Sequence, residues 1–506
     1  MMIRFVVFFI AVLLGFSSSP ARAEWREAVS PHFVVVSGGS ERQLVRLSQQ
    51  LEAVHWMMTL LTGVTPSENV QRVRIYLVDD LADVHRAIGA RAGSSVAGFY
   101  RPDLTGAIAV VPRSEGAFST TILFHEYAHH FMLQYLEAAY PGWFVEGFAE
   151  FVSTASFERE GSITIGKVAN HRAYEIDAMP WVPVPRMFAP RSAQDREAGV
   201  ATYGQYWVAA HYLLLNAERR TQLNRFMNAV NGGTRIEDAY AAFEGGLDQL
   251  DRDMRIYSRR NTFEGRYAAL PAGVKAAPVV RILRPAEEAA IPIELQAGRN
   301  LDDDEKAELA TNIAALVARF PDDPVVALLQ TRILFQNEDW AGAEAAAQRT
   351  LAIDPANVRA KAWQGWATLR RMEASGSAMD MRSVSPARSL IIQAQRADTA
   401  DPLPLVAFYE SFRIADARPP ETALLGIVEA ARLVPQEPGI RMLAANAMVA
   451  SRNLPQARRL LAPLAYAPHR SPAQGQALLL LQWVERGAEG MPPEYVEMPD
   501  ISIAED

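Results

Sequence analysis

A mixed α and β domain followed by an all-helical repeat domain is the architecture the sequence predicts, and three observations predict it. Strand-like and helix-like stretches alternate between residues 24 and 115. Two helices carry a histidine and glutamate pattern over 125–150, and prolines recur at intervals of 33 or 34 residues beyond residue 300. With 506 residues, 49% of them hydrophobic and 21% charged, the chain is globular and too long for one ordinary core.

Residues 1–23 read as an export signal. Arg4 supplies a short positive region, 5–16 is a twelve-residue apolar run, and Ala21-Arg22-Ala23 is a small-x-small cleavage site. A run of that length is short for a spanning helix, which needs about 20 apolar residues. Cleavage after Ala23 and a periplasmic or secreted mature chain, with no stable membrane insertion, are the expectations. The chain has no Cys, which removes disulfides, catalytic thiols, thiolate metal sites and a lipid-modified N-terminal Cys. Any metal must be held by His and carboxylates. The formal net charge of −8 becomes −10 once Arg4 and Arg22 leave with the signal, no acid going with them. That balance argues against nucleic acid and anionic membrane surfaces as partners.

Within 24–115, residues 32–37 (HFVVVS) and 73–78 (VRIYLV) are strand-like, 41–61 carry apolar residues at helical spacing and a helix follows near 80–90. Residues 98–101 and 107–111 (AIAVV) predict a strand pair around a turn at 102–105. Residues 116–265 are mainly helical. One helix spans 119–139 and stops at Pro141-Gly142, a second spans 143–153, and a short strand follows at 162–166. A proline-rich loop covers 167–199, and helices are expected at 201–216, 219–231, 235–244 and 246–258. Pro271, Pro278, Pro285 and Pro292 mark 266–300 as a linker to the second domain.

Residues 301–490 repeat, and 491–506 form a tail. Pro321 and Pro355 are 34 apart; Pro402, Pro435 and Pro468 follow one another at 33; the 47-residue gap from Pro355 to Pro402 implies an insertion near 375–386. Ala343 and Ala423 stand twelve before a proline of the series, and Ala347, Ala394, Ile427 and Leu460 stand eight before one. Small residues there let paired helices approach. Asp302-Asp303-Asp304-Glu305 lacks the alternating pattern of a calcium loop and reads as acids opening a helix at 303–319. Trp363 and Trp366 read as core.

The chemistry concentrates at His125-Glu126-Tyr127-Ala128-His129. Four residues make just over one helical turn, so both imidazoles project from one face and suit one zinc ion at about 2.0–2.1 Å. Glu126, beside the first imidazole, is placed to act as general base on water. His130 points about 100° away from His129 and is not read as a ligand; it is four after Glu126 and is expected to hydrogen-bond there or to pack. After the helix break comes Trp143-Phe144-Val145-Glu146-Gly147-Phe148-Ala149-Glu150, with sixteen residues between His129 and Glu146.

This combination, HExxH followed by WxxEGxAE, resembles the gluzincin metallopeptidases, the superfamily of thermolysin and the zinc aminopeptidases. The resemblance is specific at 125–150 and loose over the rest of 24–265, which is similar to peptidase-MA-like domains of exported bacterial proteins with repeat tails. It implies an α+β zincin-like metallopeptidase domain, with His125, His129 and Glu146 as zinc ligands and Glu126 as the catalytic base. It further implies that Glu150 orients His125 through its second ring nitrogen. It implies a downstream oxyanion donor, for which Tyr203 is the first candidate and Tyr206 and His211 follow. It also implies an antiparallel edge strand that pairs with extended substrate, and 107–111 is the candidate. The aminopeptidase branch carries Gly-x-Met-Glu-Asn on that strand; Gly106-Ala107-Ile108-Ala109-Val110 stands here instead, so endopeptidase action is the expectation.

In the second domain, residues 339–357 (DWAGAEAAAQRTLAIDPAN) resemble the second helix and closing turn of a tetratricopeptide repeat. That implies an all-α repeat domain docking a protein substrate or partner. The rival function is a catalytically silent zinc-binding scaffold, and a third is hydrolysis of a non-peptide amide. An intact Glu126 favours the enzyme, because a structural zinc site has no use for it.

Overall fold

The computed structural model describes residues 24–66, 70–89, 96–113, 117–136, 139–157, 161–189, 202–260, 262–377, 379–467 and 472–493. The signal at 1–23 and Pro468 lie outside the described residues. The chain is mixed α/β in its first part and wholly helical afterwards. The strands are β1 (Arg26–Val29), β2 (Phe33–Ser37), β3 (Val73–Val78), β4 (Phe99–Arg101), β5 (Ile108–Pro112), β6 (Ser162–Ile165), β7 (Arg266–Ala269) and β8 (Val279–Ile282). Six of them form one sheet in the order β4-β5-β3-β2-β1-β8. The helices of this part, among the described residues, begin with α1 (Glu41–Thr62), α2 (Leu81–Ile88), α3 (Ala117–Tyr135), α4 (Gly142–Ser153), α5 (Ala173–Asp177) and α6 (Val184–Phe188). They continue with α7 (Tyr203–Leu215), α8 (Ala217–Asn231), α9 (Ile236–Ala239), α10 (Gly246–Ser258) and α11 (Pro285–Gln296).

β2, β3 and β5 run parallel. Their near-continuous apolar runs suit a sheet covered on both faces. Val35, Ile75, Leu77, Ala109 and Val111 join the main core with α1 and α3, while Val36, Tyr76, Val78 and Val110 pack with α2 and α11. Odd and even residues of each strand thus serve different helix layers, as the two-residue period requires. α1 starts where Ser40 and Gln43 form a reciprocal capping box.

The stretch 266–300, read as a linker, is structured: its strands join the sheets of the first part, and α11 packs both on the sheet and against the helices that follow. β7 pairs with β6, β8 extends the sheet beside β1, and Ile291 and Leu295 of α11 cover the sheet's second face. Two of its prolines sit where the fold tolerates them, and Pro292 lies inside α11. Pro285 opens α11, where its missing N–H costs no helical bond, and Pro278 precedes an edge strand.

The strand at 107–111 is not the sheet edge. β5 has β3 on one side and β4 on the other, because the 102–105 turn folds β4 back along it. The free edge on this side is the three-residue β4.

α4 packs between α3 and α7. Gly147 permits this, since a Cβ there would lie 2.5 Å from the Tyr206 carbonyl oxygen. Gly147→Ala is expected to push α4 off α7 and cost about 1–3 kcal/mol, the usual range for overpacking. Urea unfolding checks this: the midpoint falls, whereas an unmoved midpoint would mean that the two helices do not meet at Gly147.

The second part is a file of helices, each packed on the next: α12 (Asp303–Arg319), α13 (Pro324–Gln336), α14 (Trp340–Ile353), α15 (Val358–Ala374) and α16 (Met381–Ala397), then α17 (Pro402–Ile414), α18 (Glu421–Leu433), α19 (Pro438–Ala450), α20 (Leu454–Ala465) and α21 (Pro472–Glu485). Ala343, Ala347, Ala394, Ala423 and Ile427 are fully buried between them. Asp302 caps α12 in a capping box with Glu305, so the acidic run opens a helix as expected. The proline series mixes two positions. Pro321, Pro355 and Pro435 stand two residues before the N-caps Asp323, Asn357 and Glu437, whereas Pro402 follows its N-cap, Asp401. Counted from N-cap to N-cap, the successive units are 34, 44 and 36 residues long. The extra length falls in α15, α16 and the 375–380 connection, where the insertion was expected. No described helix is long and apolar enough to cross a membrane.

Candidate metal centre

α3 and α4 bring three donors to one point. The Nε2 atoms of His125 and His129 are 3.0 Å apart, and each is 3.6 Å from Oε2 of Glu146. A tetrahedral ion with bonds of about 2.0–2.1 Å has donor–donor edges of about 3.4 Å. The observed triangle brackets that value, so the residues fit a metal ion without rearrangement. Among the described residues, His125, His129 and Glu146 are the group of this kind. Glu146 is buried and both imidazoles are partly covered.

The rotation of α3 that aims the imidazoles inward is set by its other faces. Leu123, Phe124, Ala128 and Phe131 are buried in the core. Tyr127 and His130, also buried, meet partners on α1 and on the sheet: the Tyr127 hydroxyl lies 2.7 Å from His55 Nδ1, and the Tyr100 hydroxyl lies 2.7 Å from His130 Nδ1. Burial depresses His55 to about 2 and His130 to about 3, so both rings are neutral at physiological pH. The partner of His130 is therefore Tyr100 on β4. Burial first, and then the charge of Glu126, hold the Tyr100 phenol well above its ordinary value. The charge of Glu126 is thus felt by both Tyr100 and His125.

Behind the donors, Glu150 is fully buried and fully engaged. Its Oε1 lies 3.5 Å from His125 Nδ1 and accepts from Arg172 Nε and NH2 at 3.0 and 2.7 Å. Its Oε2 is 2.7 Å from His171 Nε2. Burial alone would raise this carboxyl, but His171, Arg172 and His125 outweigh it and bring it down to about 2. The same Arg172 bonds Glu175 at 3.1 Å, and Glu175 accepts the Gly204 N–H at 2.8 Å. His171 and Arg172 lie in the region read only as a proline-rich loop, and no sequence spacing ties them to the metal residues.

This arrangement predicts that Arg172→Met, which leaves Glu150 buried with one cation fewer, weakens zinc binding by about 10–100-fold, the usual cost of losing an orienting partner. Competition with a chromophoric chelator reads it, and an unchanged affinity would show that Arg172 is only a surface clasp. The sign for acid stability follows from a depressed carboxyl. The stabilisation is present above the unfolded value of 4.5 and is lost as pH falls toward about 2, on the order of 3 kcal/mol in all.

Tyr203 opens α7, and the Arg172 guanidinium lies 4.8 Å from its ring centre, so the candidate oxyanion donor sits one residue away from the Glu150 network. Tyr206 is buried beneath it. His211 is turned away: its Nδ1 meets the Tyr257 hydroxyl at 2.7 Å and its Nε2 meets the Gly166 carbonyl at 2.8 Å. With both nitrogens engaged and burial lowering it to about 4, His211 ties α7 to α10 and does not serve the site. Burial would lower His125 as well, but Glu146, Glu150 and Glu126 outweigh that effect, and the metal-free ring is held above its ordinary value.

Comparison with protein-family models, curated proteins and solved structures finds no match for this chain.

Proposed function

We propose that the chain is an exported zinc-dependent endopeptidase of gluzincin type, with a zincin-like domain followed by tetratricopeptide-like repeats. The observation that carries this is the convergence of two imidazoles and a carboxylate at zinc-compatible distances, with Glu126 beside them. His125, His129 and Glu146 would hold the ion. When bound, zinc supplies Lewis acidity toward a scissile carbonyl and a water. Glu126 takes the proton from the attacking water and returns it to the leaving amine. Glu150 and Arg172 keep His125 in the orientation and tautomer that leave Nε2 free for the ion. The Tyr203 hydroxyl donates to the developing oxyanion. Cleavage after Ala23 delivers the mature chain to the periplasm or exterior.

Incubating the wild type and Glu126→Gln with a diverse peptide library, and reading products by mass spectrometry, tests the reading. Internal cleavages confined to the wild type support it. A library left intact by both proteins at full zinc loading would favour the silent scaffold.

A further inference from the structure

The helical array carries a face lined by alternate helices, α13, α15 and α17, which pack against one another. Arrays of stacked helix pairs use such faces to bind extended segments. Here the face is already occupied by the turn between β4 and β5. The Asp103 carboxylate is divided between two tasks. Its Oδ1 accepts the Thr105 N–H and hydroxyl at 2.8 and 2.7 Å, which builds the turn, and its Oδ2 pairs with Arg332 of α13. Burial alone would raise this carboxyl, but Arg332 and Thr105 hold it below its usual range. Leu104 at the tip, like Trp366 of α15, packs against two of the array's apolar clusters. Arg359 of α15 donates to the Thr105 carbonyl at 2.9 Å while Asp401, at the head of α17, holds it at 2.7 Å. Gln71, on the loop before β3, donates to the Ala400 carbonyl beside them.

We infer that the array's binding face has a resident ligand, the chain's own 102–105 turn, and that by gripping it the array sets the position of β4 at the rim of the metal site. β4 is only three residues long, and it ends on the gripped turn. Its Tyr100 reaches His130, the neighbour of His129. At about 3.3 Å per residue, Leu104 and Tyr100 are on the order of 13 Å apart along the chain. A short, stiff hairpin of that length transmits the grip to the site. Arg332, Arg359 and Leu104 are therefore positioning residues. The grip itself is independent of any catalytic activity; only its consequence for hydrolysis rests on the peptidase reading.

The test is hydrogen exchange on the metal-free, full-length chain, comparing wild type with Arg332→Ala/Arg359→Ala and, separately, with Leu104→Ala. The expected result is exchange at least about tenfold faster across 99–112 in both variants, with 421–485 protected as in wild type. Leu104→Ala alters only the tip and leaves the array's own helices intact, so it reports even if the double variant unfolds. Unchanged protection of 99–112 in Leu104→Ala overturns the inference. A second readout is the absorption spectrum of the cobalt-loaded protein, which shifts in Leu104→Ala if the grip reaches the metal. Because the exchange is read without metal or substrate, it stands or falls apart from the peptidase reading, which Glu126→Gln tests on its own.

Discussion

Glu126→Gln is expected to keep its zinc and to lose peptide turnover by at least about a hundredfold, the lower end of what a positioned general base contributes. The amide is the same size as the carboxylate and Glu126 is not one of the three donors, so the triangle of His125, His129 and Glu146 is expected to survive. What disappears is the carboxylate whose charge reaches both His125 and Tyr100 and which is proposed to take the proton from water. The effect belongs in kcat, with KM nearly unchanged, because the proton moves only in the transition state. Turnover within twofold of wild type, at equal zinc content, would remove Glu126 from the mechanism.

Glu146→Ala and His129→Ala abolish zinc binding. Each leaves two donors where a closed set of three is needed, and His129→Ala leaves Glu146 buried beside a single imidazole. Zinc content after reconstitution and desalting is expected to fall to about a tenth or less of wild type, as the loss of a ligand implies. The wild-type site also has a predictable response to acid. His125 holds its proton above its ordinary value of 6.5 in the metal-free protein, the burial effect being outweighed by three carboxylates. Zinc must displace that proton. Affinity is therefore expected to fall by at least about tenfold per pH unit below the raised value, since at least the His125 proton leaves for each ion bound. A zinc affinity flat between pH 8 and pH 6 would contradict the assignment of His125, and zinc retained in Glu146→Ala would contradict that of the third ligand.

The imidazole pair was legible because its signal is local: His125 and His129 are four residues apart on one helix, and helix geometry brings them to one face. Glu146 and Glu150 entered only through the resemblance of 143–150 to the gluzincin pattern. Helices and the strands at 32–37 and 73–78 were legible from local apolar patterning, but not the parallel pairing of those strands. What could not be read depends on distant chain segments meeting. Arg172 and His171 find Glu150 across a loop, and Tyr100 finds His130 from another layer. Proline density marked 266–300 as a linker, but prolines at a helix start and beside an edge strand are compatible with structure, and those strands complete the two sheets. The proline spacing in the array mixed positions before and after an N-cap, which only the capping residues Asp323, Asn357, Asp401 and Glu437 separate.

Anomalous diffraction at the zinc edge, on crystals of the zinc-reconstituted protein, shows directly whether α3 and α4 hold the ion. One strong peak is expected within about 2.2 Å of His125 Nε2, His129 Nε2 and Glu146 Oε2 together. A zinc peak bound elsewhere, or none between α3 and α4 in a protein that takes up the metal, would contradict it.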